Sequence, residues 1–94
     1  MSIYLIIKDR LSRLENLPPK LRDYILSNWR DLTTMSSEYA IDILERLLRG
    51  EKIRYKDVRG TQRIVVSKMR KDQVLILEKR GKESYLKINE EYLE

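Results

Sequence analysis

Lys68, Arg70 and Lys71 are followed shortly by Lys79, Arg80 and Lys82, and with Arg63 these are the side chains of this sequence best suited to chemistry. That chemistry is non-covalent: Lys and Arg offer fixed positive charge and several N–H donors to phosphate-like anions. Covalent and metal chemistry have little to work with. The chain has no Cys and no His, which removes thiolate nucleophiles, disulfides, the usual zinc sites and the commonest general base. Asp9, Glu15, Asp23, Asp31, Asp42 and Glu45 fall on polar helix faces, where carboxylates ordinarily form charged surface. Gly50, Gly60 and Gly81 are isolated and suit caps and turns, not a phosphate-cradling loop. The expectation is a protein that is not an enzyme, with no cofactor and no metal.

The net charge is +5, but its distribution is more informative than its size. Residues 52 to 82 hold eleven Lys and Arg against three acids, Asp57, Asp72 and Glu78, a local balance of +8. Residues 1 to 50 hold eight basic residues against seven acidic ones. Such concentration of charge in one half is the electrostatic footprint expected for a polyanion partner. Charged residues make up 37% of the chain. Together with the absence of Cys this resembles thermophile composition, and a hyperthermophilic archaeal or archaeal-virus source fits it.

The elements that must position the basic residues fit in one domain, residues 1 to 94, with one modest core. The apolar run Ile3 to Ile7 is too short for a signal peptide or a membrane span, so a soluble, cytoplasmic chain with no membrane association is expected. Ile3, Ile7, Leu11 and Leu14 recur at helical spacing and predict a first helix over residues 3 to 16. Tyr4, Leu5 and Ile6 make it apolar nearly all round, and a helix with two apolar faces buries the second against a partner or against its own chain. Ile3, Ile6, Ile7 and Leu14 are the expected homodimer contacts. Pro18 and Pro19 end this helix and open a second over residues 19 to 32, with Leu21, Ile25, Trp29 and Leu32 inward. Tyr24, Trp29 and Tyr39 are expected as core or dimer contacts.

Ser36 or Ser37 is the expected cap of a third helix, striped by Ala40, Ile43, Leu44, Leu47 and Leu48 and closed by Gly50. Residues 52 to 55 alternate as a short strand, and residues 56 to 60 have room for one helical turn. Thr61 is expected to cap a fourth helix over residues 62 to 72, although Ile64, Val65 and Val66 are β-branched and a strand is the rival reading. Residues 74 to 77 and 84 to 88 form the expected hairpin about Gly81. The acidic tail would dock through Tyr92 and Leu93.

Helix, short strand, short helix, basic helix and hairpin, in residues 39 to 88, is an order that resembles the winged helix-turn-helix domain. The stretch "SKMRKDQVLILEKRGKESYLKI" is similar to the recognition-helix end and wing of MarR-like and PadR-like DNA-binding proteins. It departs from them at Gln73, where glycine would be easier, and in the shortness of "KDVRG" as a first helix. The resemblance implies a mainly α fold with a small β hairpin, a winged helix-turn-helix with extra N-terminal helices. Residues 1 to 34 would supply dimerisation and residues 36 to 88 the winged helix.

With Val65, Val66 and Met69 inward, Arg63, Ser67, Arg70 and Lys71 are left largely outward, while Thr61 and Gln62 lie at the helix N-terminus. These types can read base edges in a major groove. The resemblance therefore implies double-stranded DNA as partner, with Thr61, Gln62, Arg63, Ser67, Lys68, Arg70 and Lys71 on the recognition helix. Lys79, Arg80 and Lys82 at the hairpin tip would reach phosphates or the minor groove. Lys52, Arg54, Lys56 and Arg59 can add phosphate contacts. A homodimeric, site-specific transcriptional regulator is the leading expectation. The alternatives are a centromere-like site-binding adaptor in archaeal plasmid or chromosome partition, meeting other DNA-segregation or transcription proteins, and a winged-helix protein-interaction module.

Overall fold

The computed structural model describes residues 2–94. Helix α1 (Ile3–Glu15) starts where Ser2 Oγ accepts the Leu5 N–H, as an N-cap should. Helix α2 (Pro19–Asn28) opens on its proline and stops four residues before Leu32, short of the expected end. The backbone leaves the helix at Trp29, whose ring meets Tyr24 edge-on at 5.8 Å. Leu32 still reaches the core, from the loop. Helix α3 (Met35–Leu48) begins earlier than expected because Thr34, rather than Ser36 or Ser37, is its cap: Thr34 Oγ1 accepts the Ser37 N–H at 3.1 Å. Ser37 is fully buried inside the helix, its hydroxyl donating to the Thr34 carbonyl.

A single 3-10 turn, Tyr55–Asp57, precedes helix α4 (Thr61–Lys71), which is followed by strands β1 (Leu75–Arg80) and β2 (Glu83–Ile88) and a second 3-10 turn, Glu90–Leu93. The expected strand over residues 52 to 55 is reduced to one bridge, Arg54 to Tyr85, supported by the Leu86 N–H donating to the Ile53 carbonyl at 2.9 Å. The antiparallel hairpin runs in register from Leu75 opposite Ile88 to Arg80 opposite Glu83. Gly81 takes a φ of 61° while Lys82 does not go positive, the pattern of a tight two-residue hairpin turn with glycine first. The chain is mainly α-helical with one antiparallel hairpin, an arrangement compatible with a winged helix. No helix among the described residues is long and apolar enough to cross a membrane.

One continuous core joins all these elements. Leu14, Leu21, Ile25, Ile41, Leu44, Val66, Met69, Val74 and Leu75 are the largest of the fully buried aliphatic side chains. Each contributes about 1.5–3 kcal/mol by leaving water. Leu14 is only 1% exposed, which corrects the expectation that it lies in a dimer interface: its side of α1 faces α2 and α3 of its own chain. Beside it, Arg13 bonds Glu45 through Nη2 at 2.6 Å and Glu38 through Nη1 at 2.9 Å. The Glu45 bond chiefly, opposed by partial burial and aided by Glu38, raises the Arg13 pKa above its already high ordinary value. Arg10 adds a Glu38 contact of 2.7 Å that lies off the line of a hydrogen bond, and its Nη1 donates to the Leu32 and Thr34 carbonyls. Of the tail, Tyr92 packs edge-on against Tyr24, whereas Leu93 stays 44% exposed.

Two helices end alike with different residues. After α3, Gly50 at φ 86° sends its N–H to Leu47, while Glu51 reaches back to the Arg46 carbonyl. After α4, Gln73 at φ 60° donates to Arg70 and Val74 donates to Met69 at 2.8 Å, with Val74 and Met69 both fully buried. This is a Schellman turn built on the wrong residue for a left-handed backbone. Gln73→Gly is therefore expected to stabilise the chain by about 0.5–1 kcal/mol, read as a higher urea midpoint with an unchanged slope.

The far end of α4 is also tied to α2. The Tyr24 hydroxyl donates to Asp72 Oδ2 at 2.6 Å, and Lys68 meets the same oxygen at 3.1 Å. The Tyr24 bond first, then Lys68, hold the Asp72 carboxyl below its ordinary pKa. Asp72 is thus more acidic folded than unfolded, so the stability it lends is complete above the ordinary carboxylate range and fades as pH falls through the lowered native value. Tyr24→Phe should cost about 1 kcal/mol at neutral pH and nothing measurable in strong acid, tested by thermal melts across the acid range. A pH-independent loss would assign the cost to packing.

Candidate nucleic-acid interface

The first turn of α4 has no side-chain cap. Gly60 occupies the N-cap position at φ 62°, ψ −137°, a backbone region that only glycine adopts readily, and the helix starts at Thr61 instead of being capped by it. Val65, Val66 and Met69 turn into the core as expected. At 100° per residue the direction opposite them carries Ile64, Ser67 and Lys71, flanked on one side by Thr61 and Lys68 and on the other by Arg63 and Arg70. Thr61, Ile64, Ser67, Lys68 and Lys71 are exposed, and Gln62, Arg63 and Arg70 are half-buried. The acid on this stretch is Asp72, already shared by Tyr24 and Lys68.

Arg63 is a correction to the expectation that it points outward. Its Nε donates to the Val58 carbonyl at 2.9 Å and its Nη2 to the Tyr55 carbonyl at 3.0 Å. Its guanidinium carbon stands 3.9 Å from the centre of the Tyr55 ring. Arg63 thus pairs the Val58 carbonyl and gives a second donor to the Tyr55 carbonyl, which already accepts the Val58 N–H at 3.1 Å, so its Nε and Nη2 are engaged within the chain. Arg70 shares the ring at 4.7 Å, so its guanidinium is held without an acidic partner. Partial burial raises the Tyr55 pKa, but the Ser67 hydroxyl and the charges of Arg63 and Arg70 outweigh it and leave the phenol below its ordinary value.

The hairpin carries Lys79, Arg80 and Lys82 at its tip, all exposed. Arg80 Nε is 2.9 Å from Glu78 Oε1, while Lys79 and Lys82 make no ion pair among the described residues. Of the auxiliary cations, Arg54 is held by Asp57 at 2.9 Å and Lys56 by Glu83 at 2.8 Å. Lys52, Arg59, Lys71, Lys79 and Lys82 are exposed cations with no acid within ion-pair distance among the described residues. Exposed Lys71 on α4 and Lys79 and Lys82 on the hairpin are therefore available to an anion outside the chain. Of the expected dimer contacts, Ile3 is 65% exposed, Ile6 and Ile7 are half-buried and Leu14 is buried. Tyr4, Ile7, Lys8, Leu11, Ser12 and Glu15 line a shallow groove on the outer side of α1, and of the expected contacts Ile7 lies on it.

Among the described residues, no group of three or more carboxylates is placed to hold a metal ion. The chain matches no family model, no curated protein and no solved structure.

The inward arrangement of Arg63 has a measurable consequence. Arg63→Ala is expected to lower folding stability by about 1–3 kcal/mol, with Arg63→Lys recovering little, because a point charge cannot bridge two carbonyls and stack on a ring. Urea unfolding without any ligand is the test. A fully stable Arg63→Ala would show that the 3-10 turn needs no such support.

Proposed function

We propose that this chain is a homodimeric double-stranded DNA-binding protein, a site-specific transcriptional regulator with no catalytic activity, working in the cytoplasm. The observation that carries the proposal is the set of unpaired cations, Lys71 on the outer face of α4 and Lys79 and Lys82 at the hairpin tip, beside a helix face free of acids. An α-helix fits the major groove of B-form DNA, and phosphates beside that groove lie within reach of a basic wing. In this reading Thr61, Ser67, Lys68 and Lys71 face the groove, Gln62 and Arg70 lie at its margin, and Lys79, Arg80 and Lys82 bind backbone. The short 3-10 turn before α4 takes the place of the first helix of the helix-turn-helix unit.

The dimer would form through the outer side of α1. Tyr4, Leu5 and Leu11 are 69%, 54% and 43% exposed. Lys8 and Glu15 lie two helical turns apart on that side, and neither is in an ion pair among the described residues. Two antiparallel copies of α1 would bring Lys8 of each against Glu15 of the other, around the leucines. A two-fold axis of this kind presents two α4 helices to a roughly palindromic site with half-sites about one helical turn apart.

Binding to random-sequence duplex DNA across a salt series, followed by selection and sequencing of the bound fraction, tests the proposal. The expected result is a steep salt dependence and an enriched palindrome, with Lys71→Ala and Lys82→Ala each lowering the slope by about 1. Tyr4→Glu combined with Leu11→Glu should sediment as a monomer and bind one half-site. Failure to bind duplex at low salt would overturn the DNA proposal in favour of a protein-docking module, and a wild-type chain that stays monomeric would overturn the dimer.

A further inference from the structure

The most exposed aliphatic side chain of the described residues lies at the centre of the α4 outer face. Ile64 is 69% exposed, directly opposite the buried Val65, Val66 and Met69. Nothing in the fold accounts for isoleucine there. It contributes little burial, and as a β-branched residue it is poorer than Lys, Gln or Arg at an exposed helical position. Its neighbours one turn away on the same face are Thr61, Ser67 and Lys68, with Lys71 two turns on. Ile64 is thus an isolated apolar projection within a ring of hydroxyls and cations, unlike the exposed apolar residues of α1, which are grouped together.

An apolar protein surface would match this projection poorly, because docking it would also desolvate Lys68 and Lys71. A surface that is apolar at one point and anionic around it matches well. The major groove offers that combination where the C5-methyl group of thymine stands between two phosphate backbones. Resting on the duplex-binding reading above, we infer that Ile64 is a specificity-determining residue, reading a thymine methyl in the major groove while the surrounding Lys side chains engage phosphate.

Deoxyuridine tests this directly, because it differs from thymidine only by that methyl group. The probes are a duplex pool selected by the wild-type protein from random sequence and the same pool rebuilt with deoxyuridine for every thymidine. The wild-type protein is expected to bind the deoxyuridine pool about fourfold more weakly per half-site, the effect of one buried methyl-sized group. Ile64→Ser should bind both pools alike and Ile64→Val should keep most of the discrimination, with melting temperatures unchanged because the position is exposed. Equal binding of the two pools by the wild-type protein would overturn the inference and leave duplex binding intact. Absence of duplex binding would overturn both together. An Ile64→Ser variant that dissociates into monomers would instead assign this face to self-association, against the inference.

Discussion

The Arg63 guanidinium closes a gap in the backbone on which the placement of α4 depends. Between Gly50 and Thr61 the chain has only one bridge and one 3-10 turn, so many of its carbonyls have no partner within regular structure. Buried or half-buried carbonyls left unpaired are costly. One planar side chain answers several needs together, pairing the Val58 carbonyl, giving a second donor to the Tyr55 carbonyl and stacking on the Tyr55 ring that also steadies Arg70. Gly60, at a backbone angle other residues avoid, then turns the chain sharply enough for α4 to begin directly after this segment.

The charges of the two halves are used differently. In the N-terminal half Arg10 and Arg13 are directed inward and consumed by Glu38 and Glu45, so they join α1 to α3 and leave little field outside. In the C-terminal half Asp57, Asp72, Glu78 and Glu83 take up Arg54, Lys68, Arg80 and Lys56, while Lys52, Arg59, Lys71, Lys79 and Lys82 are left to solvent. Sequence balance alone, near neutral against strongly basic, becomes a spatial separation because the acids of each half lie close to their own cations.

The stripe of α3, the proline start of α2, the hairpin about Gly81 and the inward Val65, Val66 and Met69 were all legible from periodicity and turn chemistry. Gln73 also stood out correctly as a residue placed where glycine is easier, since its φ is positive. Three features were not legible, each for a tertiary reason. The cap of α3 lies at Thr34 because a buried Ser37 returns its own hydroxyl to the backbone. Leu14 belongs to the core because α1 is fastened by two arginines whose partners lie on another helix. Arg63 faces inward because its acceptors are main-chain atoms, which side-chain patterns do not reveal. The β-branched run at residues 64 to 66 was ambiguous by propensity, and burial of two of its three members decided it for helix.

The bridge from Arg54 to Tyr85 also bears on how the hairpin behaves among other molecules. A two-stranded sheet has two free edges, and a free edge can recruit a strand from another chain. On the β2 side that edge is occupied at its middle by Ile53 and Arg54, a short stretch of backbone that accepts the Leu86 N–H and leaves no continuous row of donors. On the β1 side no further strand pairs among the described residues, but the second half of that edge is Glu78, Lys79 and Arg80, whose charges oppose close approach by a like strand. The hairpin thus closes one edge by partial pairing and guards the other by charge, and resists joining its neighbours into a longer sheet.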